Sequence, residues 1–295
     1  YTIEEIARAL GTEARGDVSL TIRRAAEPGT AGPDDLALAM APKYAEDLGS
    51  GQARAAMLWE GANWQAMGLA AAIFAPRPRM AMLGLTRLMD PGQGFGSGIH
   101  PSAVVDPGAE LGIGVSVGPL AIISAGAKIG AGSVIGPHCY VGTDAEIGEG
   151  AFLREMVSIG ARVKIGARFI AQPGARIGSD GFSFVTPEVS GAENVRKTMG
   201  DQGEAKAQSW LRIHSLGAVR IGDDVEIGAN ATIDAGTIRA TEIGDGCKLD
   251  NLVHVGHNVR TGRDCLFAGQ TGISGSVEIG NNVILGGQCG VVDNI

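Results

Sequence analysis

From Ile99 onward an aliphatic residue returns at every sixth position: Ile99, Val105, Leu111, Val117, Ile123, Ile129, Ile135, Val141, Ile147, Leu153, Ile159, Ile165, Ala171 and Ile177. Thirteen of these fourteen are Ile, Leu or Val, and Gly follows nine of them. The position two before each aliphatic residue is small: Ala103, Ala109, Val115, Ala121, Ala127, Ser133, Cys139 and Ala145. This is the hexapeptide-repeat signature of a parallel β-helix. Each hexad supplies a short strand and a turn, with the large aliphatic and the small residue pointing inward and Gly at the corner. Three hexads complete one triangular coil. A β-sandwich with accidental spacing is the alternative, and the length of the run argues against it.

The period breaks at 183–218, where "TPEVSGAENVRKTMGDQGEAKAQSW" reads as an inserted polar loop, either a bland surface excursion or a functional one. It resumes at Val219 and runs through Val225, Ile243, Leu249, Val255, Ile273, Ile279, Leu285 and Val291, with Ala231, Thr237, Thr261 and Phe267 filling the remaining slots. Cys139, Cys247, Cys265 and Cys289 all fall on the small inward slot, and no C-x-x-C occurs, so packing by reduced thiols is expected.

Residues 1–98 lack the period. "TIEE" opens a helix with a capping box, Thr2 to Glu5, carrying Ile3, Ile6 and Leu10 and ending at Gly11. "LALAM", "AAMLWE" and "AAIFA" read as strands, which gives a small α/β domain, 1–98, ahead of the solenoid, 99–295. A net charge of −8 disfavours nucleic-acid binding. No apolar run reaches the ~18 residues of a membrane span, and no signal peptide is seen, so a cytoplasmic location is expected.

Two of the five histidines lie three residues apart in "LDNLVHVGHNV". His257 takes an outward slot of its hexad. One coil later, three hexads on, stands Gly275, whose N–H would face the same substrate atom. A base beside a free N–H suits acyl transfer. A solvated surface histidine is the plain alternative. Two histidines alone do not make a catalytic zinc site, which needs three ligands, so no metal is expected. Arg239, Lys248, Arg260 and Arg263 surround the pair in sequence and form either a basic patch for an acidic partner or a solvated face.

"RIGSDGFSF", "VRIGDDVEIGANATIDAGTI", "LDNLVHVGHNVRTGRDC", "GISGSVEIG" and the N-terminal "MAPKYAEDL" closely resemble the UDP-3-O-acylglucosamine N-acyltransferases of lipid A synthesis. The resemblance implies a left-handed β-helix, a homotrimer with active sites in the grooves between subunits, and a uridine-binding N-terminal domain. It implies transfer of a 3-hydroxyacyl group from acyl carrier protein to the amine of a UDP-sugar. No resident cofactor is implied, since phosphopantetheine arrives on the donor. It places the catalytic base on His257, the oxyanion glycine on Gly275, an orienting carboxylate on Asp250, substrate contacts on Asn251, Asp180 and Phe182, and uracil stacking on Tyr44. The chain departs from the family pattern at Leu38 and Ala41 before Tyr44, at Ala235 where Arg is common, and at Asn294 where many members carry a second His. It also ends at Ile295, where the family continues with further coils and helices. A UDP-N-acetylglucosamine O-acyltransferase of the same pathway, a zinc carbonic anhydrase and a non-enzymatic scaffold are the other readings. Residues 1–98 argue against the first of these.

Overall fold

A computed structural model describes residues 1–198, 200 and 207–292. The chain forms two compact units, Tyr1–Gly94 and Phe95–Ile295. The sequence expectations at Asn294 and Ile295 lie outside the described residues.

The first unit is a five-stranded sheet in the order Ala14–Gly16, Ala71–Phe74, Ala55–Leu58, Asp35–Ala39, Arg24–Ala26, with only the first pair antiparallel. Successive strand residues point to opposite faces. Leu36, Met57 and Ile73 therefore pack with Ile3, Ile6 and Leu85, while Ala37, Leu58 and Phe74 form a second core behind the sheet. The helix Ile3–Leu10 carries the expected capping box between Thr2 and Glu5, and it stops at Gly11, which is left-handed at φ 62°. A second long helix, Pro78–Met89, starts on Pro at its first turn, where the missing N–H costs nothing.

The second unit is a parallel β-helix of short strands, most of them two residues long, stacked into sheets of eight, eight and nine strands. Each rung stacks on the one three hexads earlier: Ile129 pairs with Ile147, Ile135 with Leu153, and Val141 with Ile159. The inward aliphatics and small residues form one continuous core. Coils approach so closely that a Cβ on Gly130 would sit 2.4 Å from the Glu149 nitrogen. At most corners the residue three after the inward aliphatic lies in the left-handed region, including His138, Arg162, Asn230 and Asn258. Cys139, Cys247 and Cys265 are buried free thiols and Cys289 is half-buried. Burial pushes the Cys139 thiol up to about 11.

The register corrects the phase expected after the insertion. Ile165 stacks on Ile221, Ala171 on Ile227 and Ile177 on Ile233, so the insertion stretches this coil to roughly three times the length of a regular one, and not by a whole number of hexads. The next coil is also longer than three hexads, running from Ile221 to Ile243 and from Ile233 to Val255, because the segment between Ala235 and Thr241 adds an extra turn. Val219, Val225 and Ala231 thus fill the small slot and not the large one, and Thr237 lies in the added turn. Both slots face the core and both accept aliphatics, so hydrophobicity alone does not separate them. The regular three-hexad coil returns from Val255 to Ile273.

The insertion is not a bare loop. Phe184–Val185 pairs antiparallel with Leu211–Arg212. Between them lies the helix Gly191–Thr198, opened by Ser190 and Glu193, which exchange side-chain and backbone hydrogen bonds.

Candidate active site

The nine-stranded face carries its outward residues in columns. His254 pairs with Gly272, and Gly272 with Gly290. Two stacked glycines leave the column above His254 empty. The Phe182–Val185 segment and Trp210 rise opposite, and the result is a groove of about 1110 Å³ with both apolar and polar walls. His257 and Gly275 line it together with His254, Asp234 and Ser274.

His257 lies between two glycines. A Cβ on Gly275, one rung up, would meet the imidazole at 2.8 Å from both Cε1 and Nε2. A Cβ on Gly181, on the other side, would stand 2.7 Å from the His257 Cβ. The ring therefore fills space that only glycine leaves. The coil count thus brings His257 and Gly275 into contact. The Gly275 N–H donates to no acceptor among the described residues.

The tautomer of His257 follows from its neighbour. Nδ1 lies 2.9 Å from Asn258 Oδ1. That oxygen also accepts from the Thr237 N–H at 3.2 Å and the Thr237 hydroxyl at 3.0 Å, while Asn258 Nδ2 donates to the Arg239 carbonyl at 3.2 Å. These bonds fix the amide so that an acceptor faces the ring. Nδ1 must then carry the proton, and Nε2 keeps its lone pair beside the Gly275 backbone.

Asn258 holds the place expected for Asp250. Asp250 is exposed at the corner after Lys248–Leu249, one face earlier in the same coil, and its Oδ1 accepts from the Asn251 N–H at 2.7 Å. Asn251 Oδ1 in turn accepts from the Ala229 N–H at 2.7 Å. More than one hexad separates Asp250 from His257, so they occupy different corners of the prism, and within one chain neither Asp250 nor Asn251 lines the groove.

Phe182 lines the groove, is 84% exposed, and meets Phe184 edge-on at 5.1 Å between ring centroids. Asp180 ends the strand Arg176–Asp180, exposed, 4.0 Å from Arg212. Tyr44 belongs to the first unit, on the short helix Pro42–Ala45, 48% exposed, with the Lys43 ammonium 4.7 Å from its ring centre. Leu38 packs against the core of that unit, and Ala41 caps the helix.

The expected basic patch is dispersed. Lys248 and Arg260 lie on different sheets, and neither is on the face of His254. Arg260 pairs with Glu242 at 3.4 Å and Arg239 with Glu278 at 3.7 Å. Steps of six carry the chain from face to face, so neighbours in sequence part in space.

Asp234 escaped the sequence reading. It is 7% exposed, lines the groove, and sits with its Oδ2 3.9 Å from His254 Nε2. Burial raises its pKa, while His254 and His257 pull it back down. The signal was present in "TIDAGTI", an Asp directly after an inward Ile, but the shifted phase hid it. Among the described residues no three His, Cys, Asp or Glu side chains converge on a common point, and no helix is long and apolar enough to cross a membrane.

Residues 121–155 match the family described as bacterial transferase hexapeptide (six repeats), and residues 218–256 match the hexapeptide repeat of succinyl-transferase. The chain is 78% identical over 273 residues to the UDP-3-O-acylglucosamine N-acyltransferase of Ruegeria pomeroyi, covering 92% of this chain and 75% of that one. It is 62% identical over 275 residues to the enzyme of the same name from Paracoccus denitrificans, covering 93% and 75%. The solved Arabidopsis UDP-N-acetylglucosamine acyltransferase shares the fold at 24% identity and a TM-score of 0.52, over 64% of this chain and 59% of that one. With that identity over that span, the chain belongs to the UDP-3-O-acylglucosamine N-acyltransferase family.

Proposed function

We propose that the protein transfers a 3-hydroxyacyl group from acyl carrier protein to the 2-amine of UDP-3-O-acylglucosamine, in lipid A synthesis in the cytoplasm. The observation that carries this reading is the bare Nε2 of His257 set against the unpaired Gly275 N–H. Nε2 takes a proton from the attacking nitrogen, the thioester carbonyl becomes an oxyanion met by the Gly275 N–H, and the tetrahedral adduct collapses with loss of the thiol. Asn258 holds the ring and stabilises the proton on Nδ1. The apolar side of the groove, at Phe182, Phe184 and Trp210, suits an acyl chain. Tyr44 stacks on uracil. No resident cofactor enters the scheme, because phosphopantetheine travels with the donor.

The working unit in this proposal is a homotrimer. Asp250 and Asn251 face away from their own chain's His257, and in a threefold assembly they serve the groove of a neighbouring copy.

The test is His257→Ala in the full-length enzyme. Turnover should fall by roughly 10²–10⁴-fold, with oligomeric state unchanged. Turnover within a few-fold of wild type would remove His257 as the base.

A further inference from the structure

We propose that Asp234 receives the acceptor amine as its ammonium ion, and that Asp234 and His254 together remove the first of the two protons this nitrogen must lose. The inference rests on the proposed amino-sugar acceptor.

The chemistry sets the requirement. Near neutral pH much of an amino sugar carries –NH3⁺, and an amide nitrogen in the product carries one hydrogen. Two protons therefore leave. His257 offers one bare nitrogen, so a site that takes the ammonium form needs an anionic seat and a second proton acceptor.

Asp234 meets both needs. Its carboxylate is buried at the groove wall, and among the described residues no lysine or arginine pairs with it. A buried carboxylate without a cation is costly unless something supplies one. The Phe182 backbone supplies it a hydrogen bond, and the one basic side chain in ion-pair range among the described residues is His254 at 3.9 Å, beyond hydrogen-bond length. His257 also acts on it, and Asp180 repels it from the neighbouring rung, with Arg212 standing 4.0 Å from Asp180. Glu193, the other acid in the groove, is engaged by Ser190. Burial disfavours the charged form of Asp234, and an arriving ammonium would restore it.

His254 completes the route. Its Nδ1 is 2.9 Å from the Thr232 hydroxyl, its Nε2 faces Asp234, and the side chain is half exposed. The ammonium gives a proton to the Asp234 carboxylate, and His254 passes it to solvent. The freed lone pair forms the C–N bond to the thioester carbonyl. His257 takes the second proton, the C–S bond breaks, and the departing sulfur takes that proton from His257. The sum is RNH3⁺ plus thioester giving amide, thiol and one proton to solvent.

The experiment compares two ligands on the full-length enzyme at pH 6.5 by calorimetry: the amino-sugar acceptor and its analogue with a 2-hydroxyl in place of the amine. Wild type should prefer the amine by about tenfold to a hundredfold, the range of one charge-assisted contact. In Asp234→Asn that preference should fall to near unity, while affinity for the hydroxyl analogue stays within about twofold. Equal losses for both ligands, or a preserved preference, would overturn the assignment. A second measurement needs no variant: the wild-type preference should shrink as pH rises through the amine's own pKa, and a preference constant with pH would also overturn it. Wild-type protein that binds neither ligand would instead bring down the proposed acceptor, and this inference with it.

Discussion

Gly275→Ala separates the imidazole's position from every other feature of the groove. Gly275 does not lie in the left-handed region, so the backbone accepts alanine without strain. The new methyl would stand 2.8 Å from Cε1 and Nε2 of His257 and 3.2 Å from Nδ1. Ordinary carbon contacts begin near ~3.5 Å, so the ring must retreat by about 0.7 Å at least. It has little room on the other side, where the Gly181 backbone backs it. Retreat also stretches the 2.9 Å bond to Asn258 that fixes the tautomer. A displacement approaching 1 Å costs about 10²-fold in rate. The Gly275 N–H is retained, so the loss reports on the base and not on the oxyanion contact. We expect kcat to fall about 10²-fold with acceptor KM changed less than about threefold. The assay is steady-state acyl transfer followed by mass spectrometry, with oligomeric state checked by ultracentrifugation. A variant that keeps kcat within about threefold of wild type would show that the imidazole does not act from this seat.

Three further outcomes are expected. Tyr44→Ala should raise the acceptor KM severalfold to about a hundredfold, the worth of one lost stack, and spare the donor; a normal acceptor KM in steady-state kinetics would move uracil elsewhere. Mixed trimers of inactive His257→Ala and Asp250→Ala chains should regain activity in about a quarter of their grooves, ½ × ½, if Asp250 serves a neighbour; silence in the mixture while both parents fold would place the two residues' roles in one chain. Burial raises the folded-state pKa of Asp234 above its unfolded value, so the protonated form is favoured in the fold and stability is lost as pH rises through the folded pKa. Asp234→Asn should therefore melt at a higher temperature than wild type at pH 8, with the gap closing on acidification; a lower melting temperature at pH 8 would show that the carboxylate is well compensated.

What the sequence determined was everything that repeats. A strand and a corner in every hexad, an aliphatic and a small side chain turned inward, and a new rung after every third hexad follow from local pattern, and each rung stacks on one like itself. That is why Ile99 to Ile177 could be placed, why the cysteines fell inside, and why His257 and Gly275, one uninterrupted coil apart, could be paired by arithmetic. The capped helix at Ile3–Leu10 and the strands around Leu36, Met57 and Ile73 were legible for the same local reason. What the tertiary structure decided was everything that depends on interruption. Two extra segments, one after Asp180 and one after Ala235, break the count, and the two inward slots are both apolar, so only the hydrogen-bond register sets Ile221 and Ile233 on their rungs. With that register, Asp234 comes into the groove beside His254. The corner geometry turns the side chain of Asn258, the very next residue, onto Nδ1 of His257 and sends Asp250 to another corner. It also divides the arginines and lysine among faces. In a coil of three sides a step of one hexad changes the face, and a whole coil brings the chain back to the same face.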